Sequence, residues 1–267
     1  MPETSTELAI KRVLVALDAS AHSLSALDAA TGLAARLHAE LLGLFVEDID
    51  LLRLAALPFA REVGFLSGAE RPLASGDIER LLRTQAADIR HALALAAERL
   101  QVPWSFQVAR GRFLQEVLAV AEQVDLLVFG KTDDHRHLEW TRPGAGARTA
   151  PGQPVLVLFD GSPAALRALA AATHLAQLAH GELAILIPQT APEPPRKLRE
   201  IAAAWLRQQG LAARFLSCPI PEITHLAQAV RAEKGSALVL PGEGLRLPPK
   251  DLHALLAALG CPVLLVR

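Results

Sequence analysis

An internal repeat limits the possible folds of this chain more than any other feature of its sequence. Residues 13–20 read Val-Leu-Val-Ala-Leu-Asp-Ala-Ser, and residues 155–162 read Val-Leu-Val-Leu-Phe-Asp-Gly-Ser. The same offset continues without a gap to Leu41, with identity at about half of the positions. Helical composition alone could produce the shared Ala and Leu, but the matching Asp, Ser, Thr, His and Glu residues favour duplication. We therefore predict two similar domains, at residues 1–150 and 151–267.

Each half alternates two kinds of segment. Val13–Leu17 and Val155–Phe159 are short, continuous apolar runs, which are typical of strands buried on both faces. Asp-x-Ser follows each run, and then come apolar residues spaced three and four apart, as in an amphipathic helix. Strand-like and helix-like segments continue to alternate along the chain. This order predicts the α/β class, with two doubly wound parallel sheets.

The two halves differ at two places. Residues 49–76 form an insertion that is apolar enough to pack against the domain. One hypothesis that stays open is that a small ligand binds beneath this insertion. The second half ends on a predicted fifth strand, Val263–Val266, whereas the first half runs directly into Val155–Phe159. Either the first half lacks a fifth strand, or Val155–Phe159 serves as that strand; the repeat favours the former. The edge of Val263–Val266 would then need a partner, and we expect a homodimer.

Composition excludes several classes of protein. The chain has 27 Lys and Arg against 28 Asp and Glu, a net charge of −1, so no basic field attracts nucleic acid. Polar residues interrupt every apolar stretch well short of the roughly 18 residues that cross a bilayer. Cys218 and Cys261 are too few for a disulfide framework, and residues 1–10 lack the apolar centre of a signal peptide. We expect a cytoplasmic protein that binds neither nucleic acid nor membrane.

Three features together resemble the universal stress protein family in its tandem, two-domain form. They are the Val-Leu-Val-x-x-Asp-x-Ser that opens each half, Arg110-Gly111 ahead of the segment ending at Gly130, and the closing sequence Gly-Cys-Pro-Val-Leu-Leu-Val at 260–266. The resemblance covers essentially the whole chain. It implies domains of the adenine nucleotide α-hydrolase-like fold with strand order 3-2-1-4-5. The repeat predicts that the first of them lacks its fifth strand.

The ATP-binding branch of that family implies a set of candidate nucleotide-binding residues. The acidic residue that ends the first strand contacts adenosine there, and Asp18 and Asp160 match it. Backbone at the end of the second strand lies against the base, and Val46 matches it. Gly130 matches the first glycine of the phosphate loop, and Gly144 and Gly146 could contribute backbone near the phosphates.

The phosphate loop departs from the family pattern in both halves. That pattern is Gly-x-x-Gly, nine residues, then Gly followed by Ser or Thr. In the first half Asp133 and Pro143 replace the second and third glycines, and in the second half Gly242 is followed by Leu245 and Leu255. A phosphate cradle needs converging backbone N–H groups and glycine conformations, and Pro143 has no N–H. We therefore expect nucleotide binding to be weakened or absent.

Other patterns have ordinary explanations beside the functional ones. Asp18 and Asp160 could simply cap the helices that follow them. Residues 144–149 could wrap an anion, although a remnant of a lost helix explains them as well. Asp133–His137 could offer metal ligands, but no second cluster accompanies it, so we assign no metal site. Cys261 lies within an apolar segment, as a buried small residue does.

These observations lead to one expected function and one alternative. We expect a non-enzymatic, stress-associated regulatory or interaction protein with no catalytic residues, no cofactor and a protein partner still to be identified. The alternative is an ATP- or AMP-binding sensor or weak ATPase, using Mg-ATP, in which the first half binds the nucleotide.

Overall fold

The computed structural model describes residues 10–17, 22–63, 68, 70–73, 75–130, 152–189, 191, 193–219, 223–242 and 248–267. In the first half the elements are β1 (Arg12–Leu17), α1 (His22–Leu37), β2 (Glu40–Asp48), α2 (Ile49–Ala55), β3 (Arg61–Val63), β4 (Glu70–Pro72), α3 (Ser75–Arg99), β5 (Trp104–Gly111), α4 (Phe113–Ala121) and β6 (Leu126–Phe129). In the second they are β7 (Val155–Leu158), α5 (Pro163–Leu178), β8 (Leu183–Pro188), α6 (Pro195–Gln208), β9 (Arg214–Cys218), α7 (Ile223–Ala232), β10 (Ala237–Pro241), α8 (Pro249–Ala258) and β11 (Val263–Val266).

Nine strands form one continuous sheet in the order β5-β2-β1-β6-β11-β10-β7-β8-β9. The α/β class is confirmed. The expectation that each half builds a sheet of its own is wrong, because β11 pairs with β10 in parallel and with β6 in antiparallel orientation. The hydrogen bonds of β11 therefore join the two halves into a single layer.

The strand order is symmetric about β11. Outward from β11, the first half contributes β6, β1, β2 and β5, and the second half contributes β10, β7, β8 and β9. Numbered within the second half, the strand order is 3-2-1-4-5. β7 pairs with β10 and β8, which places Val155–Phe159 in the second half. The place beside β6 where a fifth strand of the first half would lie is occupied by β11. One strand thus serves both halves.

This arrangement removes the reason for expecting a homodimer through the edge of Val263–Val266. β11 has a neighbouring strand on each side, and Val263, Leu264 and Val266 are completely buried. In the described part of the chain, the free edges of the large sheet belong to β5 and β9.

Helices cover both faces of the sheet because the strands are apolar on both sides. One face packs against α1, α3, α5 and α6, and the other against α4, α7 and α8. Along β1, for example, Val13, Val15 and Leu17 face the first set of helices, whereas Leu14 and Ala16 face the second. This alternation explains why the strands read as unbroken apolar runs.

The 49–76 insertion contains α2 and the β3–β4 hairpin. Asp48 caps α2, since its carboxylate accepts a hydrogen bond from the Asp50 amide at 2.8 Å. Ala55 is buried, and Leu51 and Leu52 pack against the core beside α3. One side of the insertion is therefore packed, as its apolar content predicts.

Candidate functional site

The candidate nucleotide site lies at the carboxyl ends of β1, β2 and β6. Strand register places Leu17 beside Phe45, and Ala16 beside Phe129. The next residues, Val46 and Gly130, are buried at the same edge of the sheet. In parallel α/β sheets, ligands bind at this edge where the order of the strands reverses. The structure thus places two predicted residues of the first half at one edge of the sheet, on either side of β1.

Three other predicted residues of the first half cannot be placed. Asp18, Gly144 and Gly146 lie outside the described residues, as do the loop positions Asp133 and Pro143. Their roles stay predictions.

Asp160, the predicted residue of the second half, participates in a local turn. Its Oδ1 accepts a hydrogen bond from the Ser162 amide at 2.9 Å. Ser162 is the N-cap of α5, and its hydroxyl accepts from the Ala165 amide at 3.1 Å. Gly161 between them has a φ of 84°, a conformation that favours glycine. Asp160 thus holds the turn that precedes the helix, and Ser162 caps the helix itself.

Gly242 of the second half is explained by strand packing. Its N–H donates a hydrogen bond of 2.7 Å to the carbonyl oxygen of Val266, and a Cβ on Gly242 would lie 3.2 Å from that oxygen. The backbone donor that the resemblance assigns to a phosphate is already bonded. Glycine at this position allows β10 and β11 to approach each other closely.

Leu255, at the third glycine position of the second half, lies inside α8. Its side chain is completely buried against the sheet. Within a helix interior, backbone N–H groups are bonded to carbonyls one turn earlier and are not free to hold an anion. Leu245 lies outside the described residues.

An ion pair that the sequence analysis missed adjoins the first-half site. Glu47 is opposite Arg110 in the β2–β5 register. Its Oε2 accepts a hydrogen bond of 2.9 Å from Nε of Arg110 and lies 2.8 Å from Nη2. The Glu47 side chain is only 10% exposed. The signal in the sequence was weak, because the pairing depends on the register of two strands that lie 63 residues apart.

A second ion pair extends this polar group. Arg112 Nε lies 3.2 Å from Oδ2 of Asp50 in the first turn of α2. Arg110 and Arg112 therefore both interact with carboxylates of the protein. A phosphate approaching the edge would have to compete with Glu47 and Asp50 for them.

The described residues offer little reactive chemistry. Cys218 and Cys261 are buried, and burial raises the pKa of Cys261 to about 12, so its thiol stays protonated and unreactive. No group of three or more metal-ligating side chains occurs among the described residues, and Asp133–His137 lies outside them. No described helix is long and apolar enough to span a bilayer.

No protein-family model and no curated protein sequence matches the chain. Among solved structures, a universal stress protein from Archaeoglobus fulgidus DSM 4304 is similar over 97% of this chain and 98% of its own, with a TM-score of 0.58 and 13% identity. A putative universal stress protein from Pseudomonas aeruginosa UCBPP-PA14 is similar over 97% and 94%, with a TM-score of 0.52 and 14% identity.

A protein of unknown function from Pseudomonas aeruginosa PAO1 is similar over 98% of this chain and 94% of its own, with a TM-score of 0.51 and 15% identity. At these identities the likeness establishes the fold. The chain has the fold of universal stress proteins over nearly its whole length, and the resemblance in its sequence is confirmed to that extent.

Proposed function

We propose that the chain is a cytoplasmic, non-enzymatic, stress-associated interaction or regulatory protein of the tandem universal stress type, with loops that do not hold ATP in the family manner. The single observation that carries this proposal is the placement of Leu255. A position that should cradle phosphate is a core residue of α8. The bonded N–H of Gly242 supports the same conclusion for the second half.

An apolar surface on the insertion supports an interaction role. Four side chains there are exposed, and Phe59 and Val63 are 75% and 61% exposed; the set is Leu54, Leu57, Phe59 and Val63. Exposed apolar patches often mark binding surfaces for other proteins, and these four side chains lie within ten residues of sequence. We propose that this surface, which we call the insertion surface, binds a protein partner.

The second candidate function is nucleotide sensing by the first half, with ATP or AMP bound at Asp18, Val46, Gly130, Gly144 and Gly146. The observation in its favour is that Val46 and Gly130 lie at the same carboxyl edge of the sheet, on either side of β1. The ion pairs of Arg110 and Arg112 with carboxylates argue against a strong phosphate site there.

One experiment separates the two functions. Purified protein is denatured, and the released ATP, ADP and AMP are quantified by chromatography. We expect far less than one nucleotide per chain. Millimolar Mg-ATP should also leave the melting temperature unchanged, whereas a micromolar site would add about 4 kcal/mol of stability.

Matched variants locate any nucleotide that is found. Asp18→Ala and Asp160→Ala change equivalent positions in the two halves. A thermal shift abolished by Asp18→Ala and kept in Asp160→Ala would replace our proposal with the sensor function of the first half.

The insertion surface has its own test. Phe59→Asp should abolish capture of the partner by immobilised protein under stress conditions. Leu95→Asp, at a 56% exposed position on α3, is the matched control and should keep it. Equal capture by both variants would contradict the assignment of this surface.

A second copy of the chain is a further proposed partner, through the free edge of β5. Val108 on this strand is 50% exposed, and an edge strand with apolar side chains is prone to pair with another strand. Light scattering should report a dimer for the natural chain and a monomer for Val108→Lys. A dimer that survives this substitution would exclude the β5 edge.

A further inference from the structure

A cavity of about 550 Å³ opens in the second half, away from the candidate nucleotide site. It lies between the carboxyl end of α5, the start of β8 and the segment that leads into β9. Its walls are mainly apolar, and the residues that matter here are Thr173, Ala176, Gln177, His180, Leu183 and Ala213. Its size is within the range of small-molecule sites in proteins.

The repeat relates this space to a difference in one side chain. In the first half Trp104 is opposite Leu41 in the β2–β5 register. In the second half Arg214 is opposite Ala184, so the preceding residue, Ala213, is level with Leu183. Leu183 matches Leu41 in the repeat. Ala213 thus stands where the first half has Trp104, and the side chains differ by an indole ring.

Burial of the matched residues agrees with this comparison. Trp104 packs against the core on the same face of the sheet as Ala213. Thr31, Ala34 and Leu41 in the first half are at most 1% exposed, whereas their counterparts are 5–6% exposed, namely Thr173, Ala176 and Leu183. All six residues are buried, and the three of the second half are slightly more accessible than their counterparts.

The charges at the rim are already paired. Arg214 lies 3.1 Å from Glu182 and 2.8 Å from Glu233, and both carboxylates raise its pKa through hydrogen bonds and charge. Arg36 donates a hydrogen bond of 2.8 Å to Oε1 of Gln177. A charged ligand would have to displace these interactions, whereas a neutral ligand would not.

We propose that this cavity binds a neutral, planar aromatic or heteroaromatic ring of about the size of indole. The ring would contact Ala176, Leu183 and Ala213, at the position that corresponds by register to Trp104 of the first half. A hydrogen-bonding edge of the ring would face Gln177 and His180 at the rim. Nothing in this assignment depends on nucleotide binding, since the cavity lies at the opposite ends of the strands.

The test uses indole as the probe and the whole chain labelled with ¹⁵N. Titration should shift the amide signals of Gly181, Leu183 and Ala213 in a saturable way. Ala213→Trp supplies the ring that the first half has and should weaken binding at least tenfold. Gln208→Trp, at an exposed position outside the cavity, is the matched control and should leave binding unchanged.

A second variant keeps the proposal falsifiable if Ala213→Trp does not fold. Ala176→Leu fills the same space from the α5 side and should also weaken binding. The proposal is overturned if indole shifts none of the cavity amides, or if binding persists in the folded cavity variants. Tighter binding of indole-3-acetate or tryptamine than of indole would overturn the assignment of a neutral ligand.

Discussion

Gly32 in α1 lies directly against Leu178 in α5, so that a Cβ atom on Gly32 would stand 3.2 Å from Cδ1 of Leu178. The repeat relates this contact to a second one, because Gly32 matches His174 and Leu178 matches Arg36. Arg36 is close enough to His174 to affect its pKa. The two halves thus pack through equivalent helices, and their equivalent contacts use different side chains.

The first prediction concerns the close approach at Gly32. Gly32→Leu should destabilise the protein by about 1–3 kcal/mol, because added atoms in a packed interface force side chains and backbone to move. The measurement is the urea midpoint of unfolding. Gly32→Leu combined with Leu178→Ala should recover most of the loss. An unchanged midpoint in Gly32→Leu would show that the helices can separate at little cost.

The second prediction concerns the pH dependence of stability at His174. Burial, and secondarily the positive charge of Arg36, lowers the pKa of His174 below 6.5. Its Nδ1 is buried and has no hydrogen-bond partner in the described part of the chain. Below about pH 6.5 the unfolded chain binds a proton that the folded chain does not, so the free energy of unfolding should fall as the pH decreases.

His174→Gln isolates this effect from the other histidines. Urea unfolding at several pH values between 5 and 8 should show a weaker loss of stability at low pH for the variant than for the natural chain. His253→Gln, at an exposed position of α8, is the control and should keep the natural dependence. Identical pH profiles for the natural chain and His174→Gln would contradict the prediction.

Most of the secondary structure could be predicted from sequence because the strands are buried on both faces. Leu126–Phe129 and Val263–Val266 match the observed strands β6 and β11. The pairing of these two strands could not be predicted, because it joins residues that are distant in sequence and the repeat has no counterpart for it. Periodicity indicates that a strand is buried, but it does not identify the neighbouring strand.

The site was predictable only in part for a related reason. Val46 and Gly130 follow their strands directly, so the fold alone brings them to one edge. The use of the Gly242 N–H by Val266 depends on where β11 pairs, and the burial of Leu255 depends on where α8 begins. Both features depend on tertiary packing, which the sequence pattern does not specify. Together they determine whether a phosphate loop can form in the second half.

The third prediction concerns the ion pair of Glu47 and Arg110. Arg110→Met should destabilise the protein by about 1–3 kcal/mol, toward the lower end because the Arg110 side chain is 55% exposed. The substitution leaves the mostly buried Glu47 carboxylate without its partner. Adding Glu47→Gln should restore part of the stability, as measured by denaturant unfolding. A double variant less stable than Arg110→Met would contradict this explanation.

The last prediction concerns the role of β11 in coupling the halves. Leu264 is completely buried, and its strand is bonded to β10 of the second half and β6 of the first. Leu264→Ala should cost about 2–5 kcal/mol. Because the strand belongs to one continuous sheet, the two halves should lose stability together.

Trp104 and Trp205 report on the first and second halves respectively. One variant keeps Trp104 alone and another keeps Trp205 alone, and both carry Trp140→Phe. The unfolding midpoints of these two variants should coincide, both without and with Leu264→Ala. Separate midpoints, with only the Trp205 transition moved by Leu264→Ala, would mean that β11 stabilises the second half alone.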